Sequence, residues 1–270
     1  MEKLIRVVDN EKKIVQITTV DERWYARPVL DKNTSLPTYE YVPSVTWICD
    51  YYPKGVGFYK WLANTGWDEA QAQKEAAGGR GSKVHLAIVD LLNGFPININ
   101  AMYENPNTGN MEELSLEEYE ALISFVAWHK LKKPVKIAVE IPVWNDDYGY
   151  AGTVDFVCVI DDELWLIDFK TSKEVWPSHI IQVSAYKHTK EIQEIMKLNN
   201  FKEIKLSILQ LGYKKNKLGY KPNDIEDEFD LFLAAKTIWA KETDGQKPKQ
   251  KDYPVSISLD KSIKKEEVLA

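Results

Sequence analysis

"LIDFKTSKEVW", residues 166–176, places Asp168 and Lys170 on either side of Phe169, at the end of an apolar run that includes Leu164 and Trp165. A buried strand usually ends in turn residues, and charges left at its end are costly unless they are paired or solvated. Alternation along a strand turns Asp168 and Lys170 to one face and Phe169 to the other. A solvated ion pair is a sufficient account of an isolated Asp-x-Lys triplet. A reactive site needs further charged groups close by.

The preceding segments supply them. "VKIAVEIPVW" (135–144), "GTVDFVCVI" (152–160) and "ELWLIDFK" (163–170) are three strand-like runs joined by short, turn-rich links, which reads as a meander. Asp155 lies mid-strand beside Val154, Phe156 and Val157, where an unpartnered carboxylate is expensive. A hairpin between the second and third runs brings Asp155 and Asp168 to one edge. Two carboxylates there repel, and a divalent cation relieves the repulsion. Hard oxygen ligands of this kind suit Mg²⁺ or Mn²⁺.

Around this meander the pattern is largely helical. Residues 57–77 and 115–130 show helical periodicity, and so do 176–197 and 227–241. "GGRGSKVHLAIVDLLNG" (78–94) reads as loop, helix and stop, with Ser82 as cap and Gly94 as terminator. "KLSILQLGY" (205–213) is a fourth strand. Residues 3–27 read as a short hairpin around Asp9-Asn10-Glu11, and "YEYVPSVTWICDYYP" (39–53) as an extended piece. The expected class is α+β, a central sheet flanked by helices, in a single elaborated domain over 1–270. Within it, 1–42 forms a hairpin extension, 80–222 the core, and 223–270 a C-terminal helix and tail.

Composition narrows the function classes. The net charge of −6 argues against a protein that coats polyanions in bulk, while leaving room for a local basic groove. Two cysteines, Cys49 and Cys158, allow no disulfide framework, which fits a reducing cytoplasm. The opening "MEKLIRVVDNEKKIVQ" has charges where a signal peptide needs its apolar stretch, and no run is long enough for a membrane span.

Gly152-Thr153-Val154-Asp155, then Asp168-Phe169-Lys170-Thr171, then Gln182 through Tyr186 in "QVSAY" together resemble the PD-(D/E)XK nuclease superfamily, in its RecB-like, phage-type exonuclease branch. "RGSKVH" (80–85) is similar to the branch's upstream motif, and "PSVT" (43–46) is a looser match. The resemblance implies a restriction-endonuclease-like core. It also implies a metal held by His85, Asp155, Asp168 and the backbone carbonyl of Phe169, with Lys170 orienting the attacking water. Glu140 would stand near a second metal or the water. Gln182 and Tyr186, one helical turn apart, would hold the lysine or the scissile phosphate. Taken alone, His85 shares a helical face with Ile88, Val89 and Leu92 and reads equally as a core histidine; Glu140 reads equally as a solvent-facing strand residue. The four cysteines of an iron–sulfur cluster, present in several members of the branch, are missing here, so that cofactor is excluded.

DNA is the substrate the resemblance implies. Arg80, Ser172, Trp176 and His179 are candidate contacts to it, as are the lysine groups 132–136 and 214–221. A single-strand annealing or recombination protein is a candidate partner. Two other readings stay open: a structure-specific endonuclease with the same centre, and a catalytically silent binding module.

Overall fold

The computed structural model describes residues 4–19, 22–30, 35, 37–105, 108–243 and 248. The lysine-rich tail beyond 248 and parts of the link at 31–36 lie outside the described residues.

The chain opens with β1 (Leu4–Asp9), β2 (Ile14–Thr18), β3 (Arg23–Leu30) and β4 (Pro37–Pro43), an antiparallel four-stranded sheet in that order. The hairpin expected over 3–27 is thus the first half of a larger sheet. Its second half was hard to read because Pro28, Pro37 and Pro43 interrupt the strand pattern. Ser44 then caps α1 (Val45–Cys49) by accepting a hydrogen bond from the Trp47 amide. "PSVT" is therefore a strand end, a cap and a helix start, where an extended piece was expected.

Two helices follow, α2 (Val56–Thr65) and α3 (Trp67–Leu92), broken at Gly66, whose φ of 86° ends one and opens the other. The helix α3 runs unbroken through Gly78-Gly79-Arg80-Gly81, which corrects the loop expected there. Ser82 is no cap: its hydroxyl donates back to the Gly78 carbonyl. Each glycine costs a helix about 1 kcal/mol, and tertiary contact offsets it here. A Cβ on Gly79 would stand 3.0 Å from the Asn105 side chain, and one on Gly81 would lie 3.8 Å from Thr171 Oγ1. Gly79 is the one that lets α3 approach Asn105 closely, while the distance at Gly81 is an ordinary contact.

The small hairpin β5 (Met102–Asn105) and β6 (Asn110–Glu113) precedes α4 (Leu116–Lys132), which Ser115 and Glu118 open as a reciprocal capping box. Then comes the main sheet: β7 (Val135–Asn145), β8 (Tyr150–Ile160) and β9 (Glu163–Lys170) as the expected meander, α5 (Pro177–Lys187) and α6 (Lys190–Leu198), then β10 (Lys205–Leu211), β11 (Tyr220–Ile225) and α7 (Phe229–Thr243). The order is β11-β10-β9-β8-β7, with β10 parallel to β9 and the other pairs antiparallel. The parallel step is possible because α5 and α6 carry the chain across.

The sheet has a core on each face. One gathers Val154, Leu166 and Ile208 against Ile48, Ile181 and Phe232 from α1, α5 and α7. The other gathers Phe156, Phe169 and Leu209 against Val84, Ile88, Leu122 and Phe125 from α3 and α4. Trp24, Trp47 and Trp239 meet edge to face at 5.2–5.9 Å and join the N-terminal sheet to α1 and α7. The architecture is a mixed five-stranded sheet flanked by helices. Among the described residues, no helix is long and apolar enough to cross a membrane.

Candidate metal centre

The ladder between β8 and β9 runs from Ile160–Glu163 to Phe156–Ile167 and goes no further. The next facing pair would be Asp155 and Asp168. The strands part there, and the fork is bridged by a side chain: the Phe169 amide donates to Asp155 Oδ2 at 2.7 Å. Across β7, the register passes from Val139–Phe156 to Ile141–Val154, and Glu140 between them has φ 49°. A left-handed conformation in a non-glycine strand residue costs about 1–2 kcal/mol. The register stays unshifted across Glu140, the irregularity of this strand lying at Lys136–Ala138, and such local backbone strain clusters at functional sites.

The helix α3 supplies His85. Its Nδ1 lies 3.3 Å from Asp155 Oδ1, and its Nε2 lies 2.9 Å from the Phe169 carbonyl oxygen. His85, Glu140 and Asp155 each bring a ligand atom within 4.8 Å of the others, a group able to hold a metal ion. Asp168 stands beside it, buried, with Lys170 Nζ 2.5 Å from its Oδ2. Lys170 thus engages Oδ2, while among the described residues no group hydrogen-bonds Asp168 Oδ1.

The titration of these groups follows from their burial and from one another. Burial and the Asp155 charge raise Glu140 to about 7. Burial raises Asp168 to about 6 although Lys170 opposes the shift. Burial also works against charge on Asp155, yet His85, Lys170 and the Phe169 amide together hold it below its ordinary value. Burial opposes charge on His85 too, but Asp155 outweighs it and raises the imidazole to about 9. Both ring nitrogens face oxygens, so the metal-free fold favours the protonated form of His85, which a metal ion would have to displace to gain an imidazole ligand. The donor set fits a divalent ion: hard carboxylates, one imidazole and a buried Asp168 oxygen without a hydrogen bond.

These raised values have a consequence for stability. From 4.5 to about 7 for Glu140, and from 3.8 to about 6 for Asp168, the folded chain keeps protons that the unfolded chain has released. Metal-free stability therefore falls as pH rises through that window. His85, moved from 6.5 to about 9, stabilises fully below its lower value and loses that effect as pH climbs through the upper one. A divalent cation replaces the lost protons. We expect Mn²⁺ to raise the thermal midpoint more at pH 8 than at pH 5, each kcal/mol of binding adding about 2–4 °C. Melts in EDTA and in Mn²⁺ at both values would show it, and equal shifts would contradict the site.

The remaining candidates are placed as follows. The Gln182 amide donates to the Tyr186 hydroxyl at 3.0 Å, so the two address each other across one turn of α5. The Tyr186 ring lies over Gly152, where a Cβ would stand 2.5 Å from Tyr186 Cε1. This close approach accounts for the glycine at the start of Gly-x-x-Asp. Gly152→Ala should cost about 1–3 kcal/mol through overpacking, read as a lower thermal midpoint. An unchanged midpoint would mean that the ring moves freely.

The candidate nucleic-acid contacts are mostly engaged within the chain. Arg80 pairs with Glu117 at 3.2 Å, and the Ser172 hydroxyl donates to the Glu174 carbonyl at 2.8 Å. His179 Nδ1 accepts from the Trp176 amide at 3.3 Å, and burial lowers His179 to about 3. Trp176 itself is exposed. Lys136 binds the carbonyl of Leu92 at the end of α3, and Lys214 and Lys215 pair with Glu117 and Glu174.

Sequence reasoning missed Tyr25 and Thr153, whose hydroxyl oxygens lie 3.1 Å apart. They fasten the N-terminal sheet to β8 two residues ahead of Asp155. No local signal marks a contact between residues so far apart in the chain. No protein-family model and no curated protein matches this chain.

Proposed function

We propose that the chain is a metal-dependent nuclease of the RecB-like PD-(D/E)XK type, hydrolysing DNA phosphodiester bonds at strand ends. The observation that carries this reading is the fork between β8 and β9. There Asp155, Asp168 and Lys170 meet His85 and Glu140, and the buried Oδ1 of Asp168 has no hydrogen-bond partner. Surface ion pairs do not need a left-handed glutamate and two buried aspartates at a strand fork; perturbed acids clustered with a cation are typical of reactive sites.

Asp155, Glu140, His85 and Asp168 would hold Mg²⁺ or Mn²⁺, with the Phe169 carbonyl beside them. The bound ion would supply positive charge to the phosphate and to the leaving oxygen. Lys170 provides the second positive group. Held against Asp168, its ammonium presents its remaining hydrogens to a water and stabilises negative charge as it gathers on the phosphoryl oxygens. Glu140, whose carboxyl is raised to about 7 by burial and the Asp155 charge in the metal-free fold, would release its proton on ligating the ion. Gln182 and Tyr186 keep the adjoining wall of the site in place through their mutual hydrogen bond.

Incubation of linear and circular DNA with the protein in Mg²⁺ or Mn²⁺ tests the proposal. Loss of the linear form alone supports an end-dependent enzyme. Loss of both identifies an endonuclease with the same centre. Loss of neither, in either metal, overturns the nuclease reading.

A further inference from the structure

Residues facing one another in an antiparallel pair share a face of the sheet. The register of the N-terminal sheet pairs Arg6 with Gln16 and Gln16 with Tyr25, so these three side chains form one row across β1, β2 and β3. The row ends at the Tyr25 hydroxyl, 3.1 Å from Thr153 on β8. Along it, Gln16 Nε2 donates to Tyr25 at 2.7 Å, and an Arg23 guanidinium nitrogen donates to Gln16 Oε1 at 3.2 Å. The amide of Gln16 is thus fixed at both ends.

The two arginines of this cluster lack the partners that the others have. Arg27 pairs with Glu40 and Asp146 and stacks on Trp144, and Arg80 pairs with Glu117. Among the described residues, neither Arg6 nor Arg23 has a carboxylate within ion-pair distance; the buried Nε of Arg23 is without a hydrogen-bond partner, as is that of Arg80, whose charge Glu117 nonetheless meets. Leaving a buried donor of a charged group unpaired is costly. A guanidinium fork with free donors matches a phosphate or carboxylate oxyanion. The cluster also lies beside the metal centre. The Tyr25 hydroxyl at the end of the row reaches Thr153, which is two residues from Asp155 on the same strand.

We propose that Arg6 and Arg23, with Gln16 and Tyr25 behind them, form a second phosphate subsite that grips the backbone of the substrate strand away from the phosphate being cleaved. The inference rests on the nuclease reading. It gives the N-terminal sheet a function, that of fixing the strand's register relative to the metal. The occupant is a phosphate of a nucleic-acid strand, since an acidic chain with net charge −6 places two arginines without an ion-pair partner on one face of the sheet that is fastened to β8.

The test is binding without turnover: fluorescence anisotropy of a labelled single-stranded oligonucleotide in EDTA, at several salt concentrations. Arg6→Ala and Arg23→Gln should each weaken binding about tenfold and lower the salt slope by about one. Lys190→Ala, which removes an exposed charge on α6, should do neither. Inorganic pyrophosphate should compete for the wild type, while an acidic peptide should not. Arg6 is exposed, so Arg6→Ala decides the matter even if Arg23→Gln unfolds. The subsite is overturned by absence of wild-type binding, by variants that bind like wild type, by an equal loss in Lys190→Ala, or by competition from the peptide but not from pyrophosphate. Cleavage in Mn²⁺ is scored separately. Arginine-dependent binding without cleavage removes the nuclease reading and keeps the subsite, whereas cleavage with arginine-independent binding does the reverse.

Discussion

Lys170→Ala is expected to lower turnover about 10²–10⁴-fold while Mn²⁺ affinity stays close to that of the wild type. The ammonium is directed at Asp168 and at the space beside it, and contributes no ligand atom to the His85–Glu140–Asp155 group. Removing it leaves a buried carboxylate with no counter-charge, which ordinarily destabilises a protein. Asp168 has a way out, because burial already raises it to about 6 and a retained proton neutralises it. The variant should therefore fold, with Asp168 titrating higher than before. Lys170→Arg should not restore turnover, since a planar fork does not fit where a compact charge lies 2.5 Å from Asp168 Oδ2. Oligonucleotide cleavage and Mn²⁺ calorimetry on both variants check this. Near-normal turnover in Lys170→Ala would remove the lysine from the reaction.

The part of this site legible in the sequence is the part built from neighbouring strands. Asp155, Asp168 and Lys170 lie within one hairpin, where alternation and a short turn determine which residues meet. Breaks in local rules were harder to read. The run Gly78-Gly79-Arg80-Gly81 carries the composition of a loop, yet it is helical, and Gly79 lies where a side chain would crowd Asn105. Glu140 could be assigned to a strand from its neighbours, but its φ of 49° depends on how β7 meets β8. The row of Arg6, Gln16 and Tyr25 had no sequence signature, since it exists only through the register of three strands. The strand β11 was missed because Pro222 interrupts it; an edge position tolerates that proline. Local pattern was thus sufficient where chemistry and strand order coincide, and insufficient where packing between distant segments overrides propensity.

Asp155→Asn should separate the charge of the fork from its shape. An asparagine oxygen can still accept from the Phe169 amide, so the strand fork keeps its bridge. What disappears is the negative charge that holds His85 at about 9 and that a divalent ion requires. Loss of a carboxylate ligand should reduce Mn²⁺ affinity by at least about 100-fold, the upper end of what changes outside the ligand shell produce. Gln182→Ala provides the contrast. It breaks the hydrogen bond to Tyr186 on the far side of the site and removes no ligand atom, so activity should fall while Mn²⁺ binding persists. Titration calorimetry with Mn²⁺ on both variants, with thermal melts to show that each is folded, distinguishes the two roles. Equal loss of affinity in both would place α5 among the metal's ligands. Unchanged affinity in Asp155→Asn would mean that the ion binds elsewhere, and the assignment of the fork as a metal centre would fail.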